Sequence, residues 1–287
     1  MLQNYGGYFM KMSKKILALV LSLLLVAGIV TVLSSCGGTE EPAPADDTAA
    51  AADSDLAYVK EKGKLIVGIT DFAPMDYKGE NDEWIGFDAD MAKAFAAKLG
   101  VEVEFIEIDW DNKSLELQNK LIDCVWNGMT IDDEVKAVMD CSNAYCNNAQ
   151  TVIVKKDIAE TIKAAEDCKE LKFAVEAGSA GEKQATANGF TATPVKDQAT
   201  ALMEIAAGTS DAAIIDSLMA AAMVGEGTSY ADLTYTIMLN SEEYGVGFRQ
   251  GSDLVAELNN FFKEAYADGS MIKCAEQYKV QAALIPQ

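Results

Sequence analysis

Residues 117–127 read LQNKLIDCVWN, and residues 203–216 read MEIAAGTSDAAIID. Each stretch contains the end of a helical segment, a short turn that finishes on an aspartate, a run of apolar residues, and then a polar residue, Asn127 or Asp216. Ligands of open α/β sheets bind just beyond the carboxyl ends of the strands. Two lobes built alike would therefore bring Asn127 and Asp216 to face each other across one crevice. Chance similarity of the two stretches is the alternative.

The surrounding segments alternate between strand and helix patterns. Apolar runs or alternation predict strands at 64–69, 101–108 and 171–176, and helical spacing of apolar residues predicts helices at 86–99 and 254–267. The remaining predicted elements are helices at 115–121, 181–187 and 199–207 and strands at 123–126, 152–154 and 212–215. This alternation predicts α/β layers with mostly parallel sheets.

The N-terminal segment has the pattern of an export signal. Three lysines precede an apolar run over residues 16–33, and the small residues of Leu-Ser-Ser precede Cys36. The end of this segment resembles the bacterial lipobox, in which the cysteine becomes the lipidated first residue of the mature protein. We therefore interpret residues 1–35 as a signal peptide and Cys36 as the lipidation site. A retained membrane helix is the alternative, and Met12 would begin a signal of more ordinary length.

Residues 36–55 comprise the lipidated cysteine and a tether. The segment after Cys36 contains Gly, Thr, Glu, Pro, Ala and Asp without apolar periodicity, so it cannot bury enough surface to fold. The folded part is predicted to begin near residue 56, and its length allows one large domain or two medium ones.

The composition excludes several functional classes. Removal of the leader's three lysines from the 23 Lys and Arg leaves 20, against 45 Asp and Glu, so nucleic acid is not an expected partner. The chain has no histidine, which removes the commonest general base and metal ligand, and we predict neither a metal nor a cofactor. Five cysteines follow Cys36 at irregular spacing, which fits neither a zinc site nor a disulfide framework. A bridge between Cys168 and Cys274 is left open.

Several motifs, spread over most of the folded part, resemble one family. They are FAPM at 72–75, GFDADM at 86–91, IDWD at 108–111, IDCVWNGMT at 122–130, SNAY at 142–145, GSAGE at 178–182, DAAIID at 211–216, YGVG at 244–247 and ADG at 267–269. Their order is that of the extracytoplasmic solute-binding proteins, family 3, that serve polar-amino-acid ABC importers.

The resemblance implies the two-lobed type II periplasmic-binding-protein fold, with a ligand cleft between the lobes. Lobe 1 would comprise residues 56–148 and 240–287, and lobe 2 would comprise residues 149–239. Hinge closure of the lobes would enclose an amino acid or a similar solute. The expected protein is a monomer without enzymatic activity, lipid-anchored outside the bacterial cell membrane, with an ABC permease and ATPase as its partners.

The resemblance also implies roles for residues of lobe 2. Asp216 stands where the family has an acid for the ligand ammonium, and a capping role for the helix that follows is the alternative. Ser179 and Ala180 lie at the start of a predicted helix, where free amides and the helix dipole would hold a carboxylate. Ala180 replaces the family's usual threonine, and an ordinary capped helix is the alternative.

Lobe 1 supplies the other implied ligand-binding residues. Gly128 and Thr130 match positions whose backbone and hydroxyl groups meet the ligand, and Asn127 adds a side-chain amide. Phe72 and Trp110 match aromatic positions that flank the ligand side chain, and their faces would attract a cation. As isolated aromatics they would otherwise be read as core residues.

The main departure from the family is at Val135, where the motif has an arginine that pairs with the ligand carboxylate. Lys136 cannot copy a fixed guanidinium fork, and its neighbouring position would point elsewhere. The ligand carboxylate would then be held by the helix terminus alone, or the ligand lacks one. With Asp216 and the nearby Asp71, Asp109 and Asp132, we expect cationic or zwitterionic ligands.

Three other functional readings are open. A few proteins of this fold are cyclohexadienyl dehydratases, which need a general acid and cationic carboxylate holders in the cleft. A binding domain that reports to a membrane sensor partner would have the same lobes. A surface lipoprotein with a purely structural role is the third.

Overall fold

The structure is a computed structural model that describes residues 54–287. Within this range the chain forms two mixed sheets and a two-stranded ribbon, with helices between the strands. The strands are β1 (Lys64–Ile69), β2 (Tyr77–Lys78), β3 (Trp84–Ile85), β4 (Glu102–Glu107), β5 (Cys124–Thr130), β6 (Asp140–Cys141), β7 (Cys146–Asn148), β8 (Gln150–Lys155), β9 (Lys172–Glu176), β10 (Thr191–Val195), β11 (Ala212–Asp216), β12 (Leu233–Met238) and β13 (Glu242–Phe248).

The helices connect the strands and cover the sheets. They are α1 (Asp55–Lys62), α2 (Phe87–Leu99), α3 (Lys113–Gln118), α4 (Asp133–Val138), α5 (Ala180–Asn188), α6 (Gln198–Ala207), α7 (Ser217–Met223), α8 (Leu254–Ala267) and α9 (Ser270–Gln277). No helix between residues 54 and 287 combines the length and the apolar character needed to cross a membrane.

Lobe 1 is the part of the chain built on the first sheet. Its strand order is β4-β1-β5-β13-β6, with β7 also paired to β13, and helices α1 to α4, α8 and α9 surround it. The strands β1, β4 and β5 are parallel, whereas β13 runs antiparallel to β5. Trp126 of β5 is 1% exposed and packs edge-on against Phe262, as expected for a core residue.

Lobe 2 is the part built on the second sheet, with the order β10-β9-β11-β8-β12 and helices α5 to α7. Here β9, β10 and β11 are parallel, and β8 and β12 are antiparallel to their neighbours. Both lobes are α/β layers as predicted. The expectation of mostly parallel sheets is wrong at β8 and β13, the strands by which the chain enters a lobe, because each runs against the parallel strands of its sheet. The strand β12, antiparallel to β8, returns to the direction of β9, β10 and β11.

The chain passes between the sheets twice, at residues 148–150 and 238–242. The two passages are tied together, since the Gln150 amide donates to Asn240 Oδ1 at 2.6 Å and the Leu239 amide donates to the Gln150 carbonyl at 2.8 Å. They form the paired connections on which a hinge motion depends.

The cysteines from 124 to 274 are all free. Cys168 is buried in the core of lobe 2, and Cys274 lies on α9 in lobe 1. The bridge that the sequence left open is therefore not formed, because the two residues belong to different lobes. Residues 1–35 and Cys36 lie outside the described residues.

Candidate ligand-binding site

A cavity of about 30 Å³ lies between the lobes. It is lined by residues that end strands or begin helices on both sides, among them Thr70, Phe72, Trp110, Asn127, Gly128 and Thr130 of lobe 1 and Glu176, Ser179, Ala180, Gln198 and Asp216 of lobe 2. The lobes touch across it. Lys183 of α5 is 2.6 Å from Asp132 Oδ2 and 2.7 Å from Glu134 Oε2 of lobe 1, and Lys196 of lobe 2 pairs with Glu107. The cavity thus lies between two lobes that are in contact with each other.

Asp216 ends β11 and is 5% exposed. Its Oδ1 accepts hydrogen bonds from Tyr244 Oη at 2.6 Å, from Gln150 Nε2 at 3.0 Å and from Asn148, while Oδ2 accepts one from Gln198. Burial raises the pKa of Asp216 to about 7, and the charge of nearby Glu242 adds to this, against the effect of the donors. The side chain makes no cap bond to α7, so the alternative reading as a helix cap is not supported.

Asn127 lines the cavity, but its hydrogen-bonding capacity is used by lobe 1. Its Oδ1 accepts from the amide and the hydroxyl of Thr70, at 3.0 and 2.8 Å, and its Nδ2 donates to the Thr70 carbonyl and to Asp76 Oδ2, at 3.1 and 2.8 Å. A side-chain amide offers two donors and two acceptor positions, and all four are engaged. Asn127 thus ties the middle of β5 to Thr70 and Asp76, and its role toward a ligand stays a prediction.

Gly128 brings the backbone of β5 close to the ring of Phe72. Its φ is +55°, and a Cβ would lie 2.4 Å from the Phe72 ring. Its amide donates to buried Asp88 Oδ2 at 2.7 Å, so only its carbonyl is available to a ligand. Thr130 is half-buried, and its hydroxyl makes no hydrogen bond to any residue in 54–287.

Phe72 and Trp110, here called the aromatic pair, line the cavity from lobe 1. Phe72 is 2% and Trp110 is 7% exposed, and both also pack into the core, so the cavity-lining and core readings hold together. Phe72 meets the Tyr244 ring edge-on, with centroids 6.3 Å apart. The ammonium of Lys113 lies 4.8 Å from the Trp110 ring centroid.

The start of α5 forms the opposite wall. Ser179 and Ala180 line the cavity, and Ser179 is the N-cap of α5, with its Oγ accepting from the Glu182 amide at 3.2 Å. The capping role and the predicted ligand role thus involve the same turn. Gly178, with φ +68°, lets this turn approach lobe 1, since a Cβ would lie 2.7 Å from Asp111 Cα.

The structure places Val135 in the cavity lining, 7% exposed, where the family has its arginine. Two cations that sequence reasoning missed stand nearby, Lys113 and Lys183. Lys113 Nζ donates to the carbonyls of Trp110 and Gly178, both at 3.1 Å, and has no carboxylate within 4.0 Å among the described residues. Burial lowers the pKa of Lys113, and repulsion by Lys183 adds to this. Lys136 is exposed and outside the cavity, as expected.

Glu176 is the second residue that the sequence reasoning missed. It ends β9 as Asp216 ends β11, is 3% exposed and lines the cavity. Its Oε1 has no hydrogen-bond partner among the described residues. Burial raises the pKa of Glu176 to about 8, with smaller contributions from Asp216 and Asp197. An acid closing an otherwise apolar strand was the available signal.

Of the remaining acids named from the sequence, one lines the cavity and two lie outside its lining. Asp132 lines the cavity and is paired with Lys183. Asp71 and Asp109 lie outside the cavity lining. Burial raises the pKa of half-buried Asp71, and Asp197 and Glu107 add to it, while Asp109 is exposed. Arg249 is also remote from the cavity: it binds Asp55 and the carbonyls of Leu117 and Ile122.

Comparison with known proteins places this site in context. The L-cystine-binding protein TcyJ of Escherichia coli (strain K12) is 31% identical over 227 residues, which cover 78% of this chain and 85% of that protein. The arginine-binding extracellular protein ArtP of Bacillus subtilis (strain 168) is 30% identical and covers 89% of this chain and 96% of its own length.

Solved structures agree with the fold. The ancestral amino acid-binding protein AncCDT-1, a precursor of cyclohexadienyl dehydratase, has a TM-score of 0.72 and 35% identity and covers 78% of this chain and 99% of its own. A mutant of ArgBP from T. maritima has a TM-score of 0.73 and 30% identity, with the same coverage. The family model of bacterial extracellular solute-binding proteins, family 3, matches residues 65–281. The chain therefore belongs to this family, as its motifs predicted.

Proposed function

We propose that this protein is the substrate-binding component of an ABC importer, which captures an amino acid or an amino-acid-like solute outside the membrane and delivers it to the permease. The observation that carries the proposal is the cavity, in which an acid, an aromatic pair and a helix start converge from two lobes. The relatives that bind cystine and arginine support the same ligand class.

The ligand is held at three places in this proposal. Its α-ammonium pairs with Asp216, whose Oδ2 accepts one hydrogen bond from the residues that the structure describes. Its carboxylate meets the amides at Ala180, the hydroxyls of Ser179 and Thr130, and the ammonium of Lys113, which replaces the missing arginine. Its side chain lies along the aromatic pair, near the Gly128 carbonyl.

Isothermal titration calorimetry tests this assignment. The panel is L-arginine, L-lysine, L-cystine, L-glutamine, L-glutamate and a decarboxylated diamine. We expect binding of a cationic or zwitterionic amino acid and a loss of about 30-fold or more in Asp216→Asn, because a buried charge pair loses one partner. Asp109→Asn, an exposed acid outside the cavity, is the matched control. Preference for glutamate, or equal effects of the two variants, would contradict the proposal.

The proposal includes the anchor and the partners. We propose that residues 1–35 are removed, that Cys36 carries lipid, and that the following segment tethers a monomer to the bacterial cell membrane. The tether ends before Ser54 rather than at residue 55, because Ser54 caps α1 and Asp55 begins that helix. Detergent phase partitioning of the exported protein and of Cys36→Ala tests the anchor, since the variant should move to the aqueous phase. Light scattering of the mature protein tests the monomer.

The open alternatives are separated by direct assays. A permease and an ATPase encoded beside the gene favour transport, whereas a sensor kinase there would favour a reporting role. Glu176 and Asp216 are buried acids in a cavity that two lysines also line, so the dehydratase alternative needs its own assay. We propose that the protein is not an enzyme, so incubation with prephenate or arogenate should leave both compounds unchanged.

A further inference from the structure

Glu176 is a buried acid with one carboxylate oxygen, Oε1, that the described residues leave without a partner. It is 3% exposed, and its Oε1 accepts no hydrogen bond from the residues that the structure describes. No Lys or Arg nitrogen within 54–287 approaches it to 4.0 Å. A buried polar atom without a partner costs free energy, so native proteins rarely keep one unless something else supplies the partner. Because Glu176 lines the cavity, the ligand is in a position to do so.

The charges around Glu176 decide what kind of partner fits. Burial raises the pKa of Glu176 most, and the charges of Asp216 and Asp197 add to this, whereas a hydrogen bond from Gln198 and the charge of Lys113 lower it. The other cavity cation, Lys183, is already paired with Asp132 and Glu134 of lobe 1. A cationic group of the ligand would be attracted by Glu176 and by the adjacent acids, whereas an anionic group would be repelled by all of them.

Asp216 cannot fill the role of Glu176 as well. Its carboxylate already accepts hydrogen bonds from Tyr244, Gln150, Asn148 and Gln198, so it has room for one further donor, which the proposed function assigns to the α-ammonium. Glu176 ends the neighbouring parallel strand, β9, and meets the same cavity from a separate position. Of the three acids that line the cavity, Asp132 is paired with Lys183, whereas Glu176 and Asp216 have no basic partner among the described residues and are available to two ligand cations.

We propose that Glu176 is the specificity-determining residue of the site and that it binds a second cationic group, so that the preferred ligand is an α-amino acid with a positively charged side chain. This inference rests on the proposed function and specifies its substrate class. Lys113 and the start of α5 remain the partners of the carboxylate.

Ligand binding at Glu176 should change the number of protons that the protein holds. Burial raises the pKa of Glu176 to about 8, so its carboxyl keeps a proton further into the neutral pH range than an exposed glutamate does. A cation bound against this carboxyl stabilises the ionised form, so binding should release a proton. Asp216, Asp197 and Lys113 are the ionisable groups around it, and Asp216 releases protons with any α-ammonium. A comparison of two ligands that share the α-groups removes that contribution.

The test uses L-arginine and L-citrulline, which have similar shape but a cationic and a neutral side chain. Titration calorimetry of the mature protein in two buffers of different ionisation enthalpy gives the affinity and the number of protons released. We expect arginine to bind about 30-fold or more tightly than citrulline and to release up to about one additional proton near pH 7. In Glu176→Gln, the affinity for arginine should fall to near that for citrulline, and the affinity for citrulline should change by less than about threefold. Arginine should then release no more protons than citrulline does.

Controls separate the inference from the function on which it rests. Glu160→Gln removes an exposed acid of lobe 2 and should bind as the wild type does. If Glu176→Gln does not fold, the proton count of the wild-type protein still decides. Citrulline or glutamine bound as tightly as arginine, with no additional proton, would overturn the inference and leave the function standing. Absence of binding by every amino acid of the panel would overturn the proposed function itself.

Discussion

Substitution of Gly178 by alanine should weaken ligand binding by preventing full closure of the lobes. Gly178 begins the turn before α5, and a Cβ at this position would lie 2.7 Å from Asp111 Cα, which belongs to the other lobe. An ordinary contact needs at least 3.4 Å, and the obstructing atom is backbone, which cannot rotate away. The lobes must therefore separate at this point, and the clash exists only when they are closed.

The expected magnitude follows from the cost of overpacking, about 1–3 kcal/mol. If the closed state alone bears this cost, the dissociation constant should rise by roughly 5- to 150-fold. Alanine at φ +68° also strains the backbone by about 1–2 kcal/mol, in the open and the closed state alike. This second cost lowers stability without changing affinity.

Gly189, which ends α5, provides the matched control. Its φ is +71°, and a Cβ there would meet nothing within 4 Å, so Gly189→Ala has the strain without the clash. The assay is calorimetric titration of both variants with the tightest-binding amino acid of the panel, together with thermal unfolding of the free proteins. We expect similar losses of stability and a loss of affinity in Gly178→Ala alone. Equal affinities of the two variants would refute the reasoning.

Three further outcomes are expected. Lys113→Met should weaken the binding of arginine about tenfold or more, because the ligand carboxylate loses a partner. The affinity for agmatine, the decarboxylated analogue of arginine, should change by less than about threefold when both are measured by calorimetry. Equal weakening of the two ligands would contradict this role of Lys113. The ligand-free protein should melt at a higher temperature at about pH 5 than at about pH 9. The folded pKa values of Glu176 (about 8) and Asp216 (about 7) are raised above their unfolded values. The stability linked to their protons is therefore complete below the unfolded pKa and is lost progressively as the pH rises through the folded pKa values. A flat pH profile would contradict it. Arg249→Met should lower the free energy of unfolding in urea by about 3–5 kcal/mol, because it leaves buried Asp55 unpaired, with ligand affinity unchanged; a loss of affinity would place Arg249 in the site.

Much of the fold could be predicted because local signals and packing agree in it. Helical spacing located α8 to the residue, and the apolar runs located β1, β9 and β11. The direction of β8 and β13 could not be predicted, because strand direction depends on the path of the chain between lobes, and a strand's own residues carry no record of it. The short strand β10 also escaped, since its TATPV sequence is exposed along much of its length.

The site was predicted less completely than the fold. Motifs located residues that line the cavity, including Asp216, Thr130 and Trp110. They did not show that the Asn127 amide is fully engaged within lobe 1, because Thr70 and Asp76 come from distant parts of the sequence. Lys113 escaped for a similar reason: it looks like an ordinary residue at the start of α3 until closure brings Gly178 to it.

The hydrogen bonds of Asp216 connect the cavity to the two passages of the chain between the lobes. The donors Asn148 and Gln150 belong to the first passage between the sheets, and both also donate to Glu242 of the second, at 2.7 and 2.8 Å. None of these three side chains lines the cavity. The carboxylate to which we assign the ligand ammonium is thus linked by hydrogen bonds to both passages of the chain between the lobes. How long a captured molecule stays should consequently depend on side chains that never touch it.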